Sequence, residues 1–266
     1  SFMRGRWREC LEHAVRHHEL GERVSSLDRL GWNHIGLAFA NYGLGNLVEA
    51  EVACDGGLEM AERLGDERLA TFLASWKALV AAEQGRFDEA VSLADATIER
   101  GDAHGLTTGQ IESRRVRACI AQLQGDHEAV LDYAAQADGL LEDTDESMFP
   151  IWWSPTTCRS LIVTGRLEGV EERIESNLEA ACRADMPHWR AMTLEVRARL
   201  HAARGETEIA LEDLEAAITI FKEFGSRIEL ARAYVLRASL TDNRDEDLRS
   251  AHDLFEACGA APDIRV

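Results

Sequence analysis

The stretch ALVAAEQGRFDEA, residues 78–90, decides the fold, because its key positions recur along the chain at steps of 40 residues. A small residue stands seven positions before its glycine, and a small or β-branched residue stands five positions after it. A fixed period of this length indicates a helical repeat protein. The marker glycines are Gly5, Gly45, Gly85, Gly125, Gly165 and Gly205. The small residues that precede the markers are Ala38, Ala78, Ala118, Cys158, Ala198 and Ala238.

Apolar residues around these positions recur at steps of three and four, which is helical periodicity. Each repeat is therefore expected to be two helices joined by a turn. Gly65 before Asp66 predicts a left-handed helix stop followed by an N-cap. Ser226 with Glu229 three residues later has the spacing of a capping box. Small residues at a fixed position predict close helix packing in every repeat.

We expect an all-α, right-handed α–α superhelix of about six and a half hairpins, forming one domain over residues 1–266. Position 245 continues the count with an aspartate, so 241–266 is expected to be a divergent cap. Gly5 leaves room only for an unpaired second helix at the start, which suggests a truncation or a partner helix. First helices are predicted near 27–43, 66–83, 106–123, 151–164, 187–203 and 226–240. Second helices are predicted near 5–18, 46–64, 86–100, 126–141, 167–184, 206–224 and 246–258.

Two prolines refine these boundaries. Pro187 suits the first turn of a helix, where its missing N–H costs nothing. Pro155 falls inside the first turns expected of its helix, so that helix should start late or bend.

Forty-eight acidic residues against 29 basic ones leave a formal charge of −19, so DNA, RNA and anionic membranes would be repelled. We therefore expect no direct nucleic-acid partner and no membrane association. The six cysteines are dispersed and never form CxxC, and neither a signal peptide nor a long apolar run is present. These features predict a cytoplasmic protein with reduced thiols.

Signatures of catalysis are missing from the sequence. GxxxxGK[ST], GxSxG and HExxH are all absent, so we expect neither an enzyme nor a cofactor. His13 and His17 have the spacing of a metal pair, but the pattern supplies no third ligand, and a polar helix face is the preferred interpretation. The acidic runs 142–146 and 242–247 lack the glycine and terminal glutamate of a calcium loop, and solvated connections are expected there.

The pattern of a small residue followed by Gly-x-aromatic-or-Leu-x-x-Ala resembles the tetratricopeptide repeat. The best copy runs from Ala78 through Gly85 and Phe87 to Ala90, and six copies stand in register. The usual repeat has about 34 residues and a proline near its end, whereas these repeats have 40 and lack that proline. The longer helices resemble arrays in large bacterial regulators, namely maltose-regulator-like activators and fusions to signal-transduction ATPases or nucleotide cyclases. The resemblance implies a sensor or protein-interaction role, with any catalytic or DNA-binding part outside this chain.

The resemblance also implies that the first helix of each pair lines a concave groove, with positions 13, 10, 6 and 3 before each marker pointing inward. The aromatic and aliphatic side chains are expected to be apolar contacts, and the arginines a basic strip for an acidic peptide or a terminal carboxylate. Two alternatives stay open: the aromatic residues pack between helices, or the arginines pair with glutamates of neighbouring repeats. The predicted groove residues are Trp32, Ile35, Phe39, Tyr42, Phe72, Arg115, Trp152, Arg159 and Arg199.

The leading hypothesis for function is a protein- or peptide-binding module, the sensor or interaction arm of a larger bacterial regulator. The first alternative is a small-molecule sensor, in which a sugar or metabolite changes the curvature of the superhelix and so controls an attached ATPase, cyclase or activator. A weaker alternative is a structural scaffold or oligomerisation element.

Overall fold

The computed structural model describes residues 4–23, 26–142, 144, 149–242 and 244–261, with the backbone alone at residues 22 and 149. This part of the chain contains thirteen helices and no strand, so the predicted all-α superhelix of helical hairpins is confirmed. The second helices are α1 (Trp7–Arg23), α3 (Leu47–Leu64), α5 (Phe87–Ala103), α7 (His127–Leu141), α9 (Val170–Arg183), α11 (Thr207–Phe224) and α13 (Arg244–Cys258). The first helices are α2 (Leu27–Leu44), α4 (Glu67–Glu83), α6 (Thr107–Gln124), α8 (Phe149–Val163), α10 (Pro187–Ala203) and α12 (Arg227–Leu240).

Most of the described helices are followed, within two residues, by a residue with a left-handed backbone. All six marker glycines have φ between 72° and 80°, a region that other residues enter only at a cost. A second series with the same 40-residue period ends the second helices at Gly65, Gly105 and Gly225. Asp185 takes the glycine's place in this series, with φ 52°. Aspartate is among the few other residues that adopt this conformation with some frequency.

The structure confirms two of the three predicted features at the helix starts. The Asp66 carboxylate accepts a hydrogen bond from the Leu69 amide at 3.1 Å, which confirms the predicted N-cap. Pro187 is the first residue of α10, as expected. The prediction of a capping box at Ser226 is wrong, because the Ser226 hydroxyl makes no capping hydrogen bond to α12. That hydroxyl bonds instead to Trp7 and His188, far away in the sequence.

Helix α8 begins at Phe149 and keeps Pro155 within it, so a late start is wrong, while the alternative of a bend stays a prediction. A proline leaves the carbonyl four residues earlier without its helical donor. Here that carbonyl belongs to Ile151, and the Asn177 side-chain amide donates to it at 3.3 Å. A polar side chain of α9 thus replaces the missing helical bond.

Three other boundaries differ from the predicted ones. Helix α1 continues to Arg23, five residues beyond the expected end. Helix α9 begins at Val170, three residues late, because Gly169 has φ 70° and cannot belong to the helix. The acidic run 142–146 and the cap 241–266 lie partly outside the described residues.

Successive helices pack against one another along the array, and the small-residue column lies in these contacts. Its six members are at most 4% exposed. A separate apolar cluster joins the two ends of the array, with Leu47 and Val80 packed among Ile228, Val235 and Phe255. The Arg227 guanidinium also donates to the Leu44 carbonyl at 2.6 Å. The superhelix is therefore closed on the rim where the first helices α2 and α4 end.

No helix in the described part of the chain has both the length and the apolar character needed to cross a bilayer.

Candidate functional site

The predicted inward-facing columns do meet inside the superhelix, but much of this interior is filled. Phe39 of α2 lies 3.7 Å from the Trp76 ring and 6.4 Å from the Trp152 ring of α8, measured between centroids. Trp152 in turn stacks on Trp189 at 5.4 Å. Phe39 and Trp152 are almost fully buried. Contacts between helices therefore cover most of the surface of these aromatic rings.

The first of the predicted groove arginines, Arg115, is buried and paired. Its guanidinium donates to the Glu112 carboxylate at 2.9 Å and lies 5.0 Å from the centre of the Trp76 ring. The Trp76 indole N–H donates to the same carboxylate at 2.8 Å. Glu112 therefore accepts the hydrogen bonds that Arg115 would otherwise donate to an anionic ligand.

The other two arginines share one buried carboxylate. Arg159 donates to Glu195 at 2.8 Å, and Arg199 donates to it at 2.6 Å. Burial opposes ionisation of Glu195, yet the two guanidinium groups outweigh it and lower the pKa of this carboxyl to about 2. Glu195 is thus ionised at neutral pH and neutralises both cations in part.

A third buried ion pair lies next to the closed rim. Arg232 of α12 donates to Glu83 of α4 at 2.7 Å and to Glu229 at 2.6 Å. The Tyr42 hydroxyl donates to Glu83 at 2.9 Å. Burial raises the pKa of the Tyr42 phenol well above its usual value, so this group stays a neutral donor.

The arginines therefore do not form the unpaired basic strip expected from the sequence, and this expectation is corrected. Among the described residues, these interior ion pairs join four arginines, the fourth being Arg232, to four glutamates. The alternative of pairing with glutamates describes Arg115, Arg159 and Arg199 in this structure. A role for these three arginines in binding a partner stays a prediction.

A cavity of about 1110 Å³ lies on the opposite rim, where the first helices begin. Its wall comes from α1, the first half of α2, the start of α4, the turn into α6, and Trp152 of α8. Four of the nine predicted groove residues line it, namely Trp32, Ile35, Phe72 and Trp152. The other five, which are Phe39, Tyr42, Arg115, Arg159 and Arg199, do not.

Apolar groups form most of the cavity's floor. Trp32 and Phe72 are half-buried, so part of each ring faces the open space. On the α1 side, Leu20 is 57% exposed and contributes a free aliphatic surface. The Asn33 side-chain amide donates to the Ala14 carbonyl at 3.0 Å and fastens α1 to α2 behind this wall.

The cavity mouth carries a positive charge in an otherwise acidic protein. Arg16, Arg29 and Arg68 line it with a single carboxylate, Asp28, which leaves two net positive charges. The Arg68 guanidinium lies 4.9 Å from the centre of the Trp32 ring, a cation–π distance. None of the three arginines forms an ion pair with any residue that the structure describes.

The start of α6 adds a weaker positive contribution, because a helix N-terminus presents free amides and the positive end of the helix dipole. Its N-cap position is Leu106, which has no side chain to accept from these amides. Exposed Thr107 and Thr108 line the cavity at this point. The mouth of the cavity thus offers hydrogen-bond donors on both sides.

Sequence reasoning missed most of this mouth. His13 and His17 do line the cavity, but from the sequence they were considered as a metal pair or, by preference, a polar helix face, and Arg16 between them was not considered. Among the described residues, the one group of three close metal-ligating side chains is His252, Asp253 and Glu256, all exposed on α13. Arg29 and Arg68 stand outside the four inward columns, so the repeat pattern carried no signal for them.

Fold and interior define a helical-repeat solenoid with an open cavity at one rim. No family model matches the chain, and no curated protein matches it in sequence. Among solved structures, it is similar to the Rap conjugation gene regulator of the plasmid pLS20, in complex with the Phr* peptide. The TM-score is 0.77 over 94% of this chain and 70% of that regulator, with 13% sequence identity. At this identity the likeness establishes the fold alone.

Proposed function

We propose that this chain is a peptide-binding repeat module of a regulatory protein and that the peptide occupies the cavity between α1, α2, α4 and the start of α6. The observation that carries the proposal is the cavity itself. Its volume of about 1110 Å³ lies at the upper limit of the range of roughly 300–1,000 Å³ that is typical of ligand sites. An open space of this size, with exposed aromatic faces on its wall, suits a short chain of several residues.

We further propose that the preferred peptides carry carboxylates. Arg16, Arg29 and Arg68 line the mouth without an ion pair to any described residue, and a guanidinium binds a carboxylate through two parallel hydrogen bonds. The rest of the surface is acidic and would repel such a peptide except at this mouth. In the proposal these residues take the anion-binding role that the sequence assigned to Arg115, Arg159 and Arg199.

The structural likeness supports the regulatory part of the proposal. The Rap protein of similar fold is a gene regulator and was solved with a peptide. By analogy, this chain would sense a peptide and pass the signal to another part of its protein. The proposal includes repeats of the tetratricopeptide type with long helices, action in the cytoplasm and no catalysis.

A random hexapeptide library with free carboxyl termini tests the proposal. Immobilised protein would be incubated with the library, and the retained peptides identified by mass spectrometry. We expect enrichment of peptides with aspartate or glutamate beside an aromatic or aliphatic residue. The double variant Trp32→Ala/Phe72→Ala should lose this enrichment, since both rings face the cavity.

Val48→Ala/Val52→Ala is the matched control. These residues are 62% and 65% exposed on α3 and do not line the cavity, so binding should be unchanged. The proposal fails if no peptide is enriched over a bare matrix, or if the Trp32→Ala/Phe72→Ala protein retains the same peptides. A rise in melting temperature with sugars or metabolites but not with the enriched peptides would instead favour the small-molecule sensor. No response to either class would favour the scaffold.

A further inference from the structure

The start of the chain docks on the far end of the array. Residues 4–8 contact α10, the end of α11 and the start of α12, and we call this contact the latch. Its centre is Trp7, which is 3% exposed although it begins the first helix. The Trp7 indole N–H donates to the Ser226 hydroxyl at 3.1 Å, and its ring meets the His188 imidazole edge-on at 4.9 Å.

Charged groups flank this centre on one side. Arg6 donates to the Asp185 carboxylate at 3.0 Å, and Arg4 donates to it at 3.3 Å. Arg8 donates to the Glu223 carbonyl at 3.2 Å. The latch therefore combines an apolar core with exposed, individually weak polar contacts.

Helix α1 belongs to both the latch and the cavity. Its first residue is Trp7, while Cys10, Ala14 and Leu20 further along the same helix line the cavity. A helix moves as a nearly rigid rod, so release of its start changes the position of the wall that follows. Ligand binding and latch closure then act on one element, which is the condition for thermodynamic coupling.

We propose that α1 is a mobile wall of the peptide cavity, held closed by the latch and released when His188 is protonated. This inference rests on the proposed peptide-binding function for its biological meaning, but the motion itself does not require a ligand. Acidification would open the cavity and weaken peptide binding. A bound peptide would hold α1 in place and oppose protonation of His188, by reciprocity.

The surroundings of His188 explain its sensitivity to protons. The rings of Trp7 and Trp189 lie 4.9 Å from the imidazole, and Phe221 lies at 6.0 Å. The Ser226 hydroxyl bonds to its Nδ1 at 2.9 Å. Burial lowers the pKa of His188 from 6.5 to about 4, against a smaller opposing effect of the Glu229 carboxylate. An imidazolium ion in this apolar site is costly.

The other charged groups near the latch do not offset the effect of burial on the pKa of His188. On the α1 side, Arg4 and Arg6 face α10, and both are engaged by Asp185. Arg8 is bound to a main-chain carbonyl of α11. From α12, Glu229 lies nearby but already accepts a bond from Arg232 at 2.6 Å. None of these groups pairs directly with the imidazole.

The sign of the pH effect follows from linkage. The closed latch holds His188 with a pKa of about 4, and the open latch returns it toward 6.5, so opening takes up a proton between these values. The contribution of His188 to closure is fully present above pH 6.5 and is lost as the pH falls toward 4. At pH 5.5 the ratio of open to closed protein should rise over its value at pH 7.5, by about tenfold at most.

Cys10 reports this opening without any ligand. It is 3% exposed on α1, whereas Cys182 is exposed and serves as an internal standard for thiol reactivity. The intact protein would be labelled with 4,4′-dithiodipyridine at pH 7.5 and 5.5, and each site quantified by peptide mass spectrometry. We expect the Cys10 rate relative to Cys182 to rise at pH 5.5, by about tenfold at most. Cys54 and Cys158, buried away from α1, should stay protected at both pH values.

Two variants distinguish opening of the latch from a general loss of stability. His188→Gln keeps a hydrogen-bonding side chain but cannot be protonated, so the pH response of Cys10 should disappear. Gly5→Ala would place a Cβ 2.2 Å from that of His188, and it should open the latch at pH 7.5. Gly165→Ala is the matched control, because it has nearly the same positive φ with no atom near its Cβ. It should leave Cys10 protected.

The proposal is overturned if the Cys10 rate is independent of pH, or if His188→Gln shows the same response as the native chain. It is also overturned if Gly5→Ala and Gly165→Ala protect Cys10 equally. These readouts are independent of peptide capture. A pH-dependent Cys10 in a protein that captures no peptide would sustain the latch and refute only the peptide-binding function.

Discussion

The buried carboxylate of Glu195 should be the most sensitive ion-pair site of the array. Arg159→Met removes one of its two guanidinium partners and keeps most of the side-chain volume. Glu195 is 2% exposed, and its pKa of about 2 compares with an ordinary value of 4.5. A difference of this size corresponds to about 3 kcal/mol of stabilisation at neutral pH. Removing one partner of a buried pair typically costs 3–5 kcal/mol. We therefore expect Arg159→Met to lower the free energy of unfolding by about 3 kcal/mol.

Urea denaturation followed by circular dichroism measures this change, at pH 7 and at lower pH. The contribution of a carboxyl with a lowered pKa is complete above pH 4.5 and is lost as the pH falls toward 2. The difference between the native chain and Arg159→Met should therefore shrink below pH 4.5. Arg173→Met is the control, because its pair with Asp138 is exposed and should contribute at most about 1 kcal/mol.

A loss below about 1 kcal/mol for Arg159→Met, or a loss that stays constant down to pH 2, would show that this ion pair does not stabilise the fold as expected. Glu195 would then be solvated or compensated in some other way. Loss of peptide capture in Arg159→Met at full stability would instead restore Arg159 to the binding role predicted from the sequence.

Two further predictions concern the repeat itself. Ala118→Leu adds volume to the fully buried small-residue column and should cost about 1–3 kcal/mol by overpacking, whereas Ala216→Leu on the exposed face of α11 should change the melting temperature little. Asp66→Ala removes the acceptor of the Leu69 amide and should lower stability by about 1 kcal/mol in urea denaturation.

The helical framework was predictable because its signals are local. A glycine with positive φ ends a helix wherever it stands, and the 40-residue period repeats that signal through the chain. The same locality explains why the small-residue column was placed correctly in the helix contacts. Of the nine predicted groove residues, four line the open cavity, Trp32 and Phe72 among them.

What the sequence did not predict depends on contacts between its two ends. Trp7 and Ser226 are separated by 219 residues, and no periodic pattern links them. Closure of the array redirected the Ser226 hydroxyl from capping to the latch. It also brought Arg232 to Glu83, 149 residues apart, and completed the charge balance of the interior. A repeat pattern describes neighbours along the solenoid, but it carries no information on how the first and last repeats meet.

Hydrogen–deuterium exchange would show whether the peptide occupies the cavity between α1, α2, α4 and the start of α6. The measurement would compare the free protein with the protein saturated by a hexapeptide selected from the library. We predict slower exchange in residues 10–20, 28–36 and 105–109, which line the cavity, and unchanged exchange in α13. Protection confined to residues away from the cavity, or no protection at saturation, would show that the peptide does not occupy the cavity.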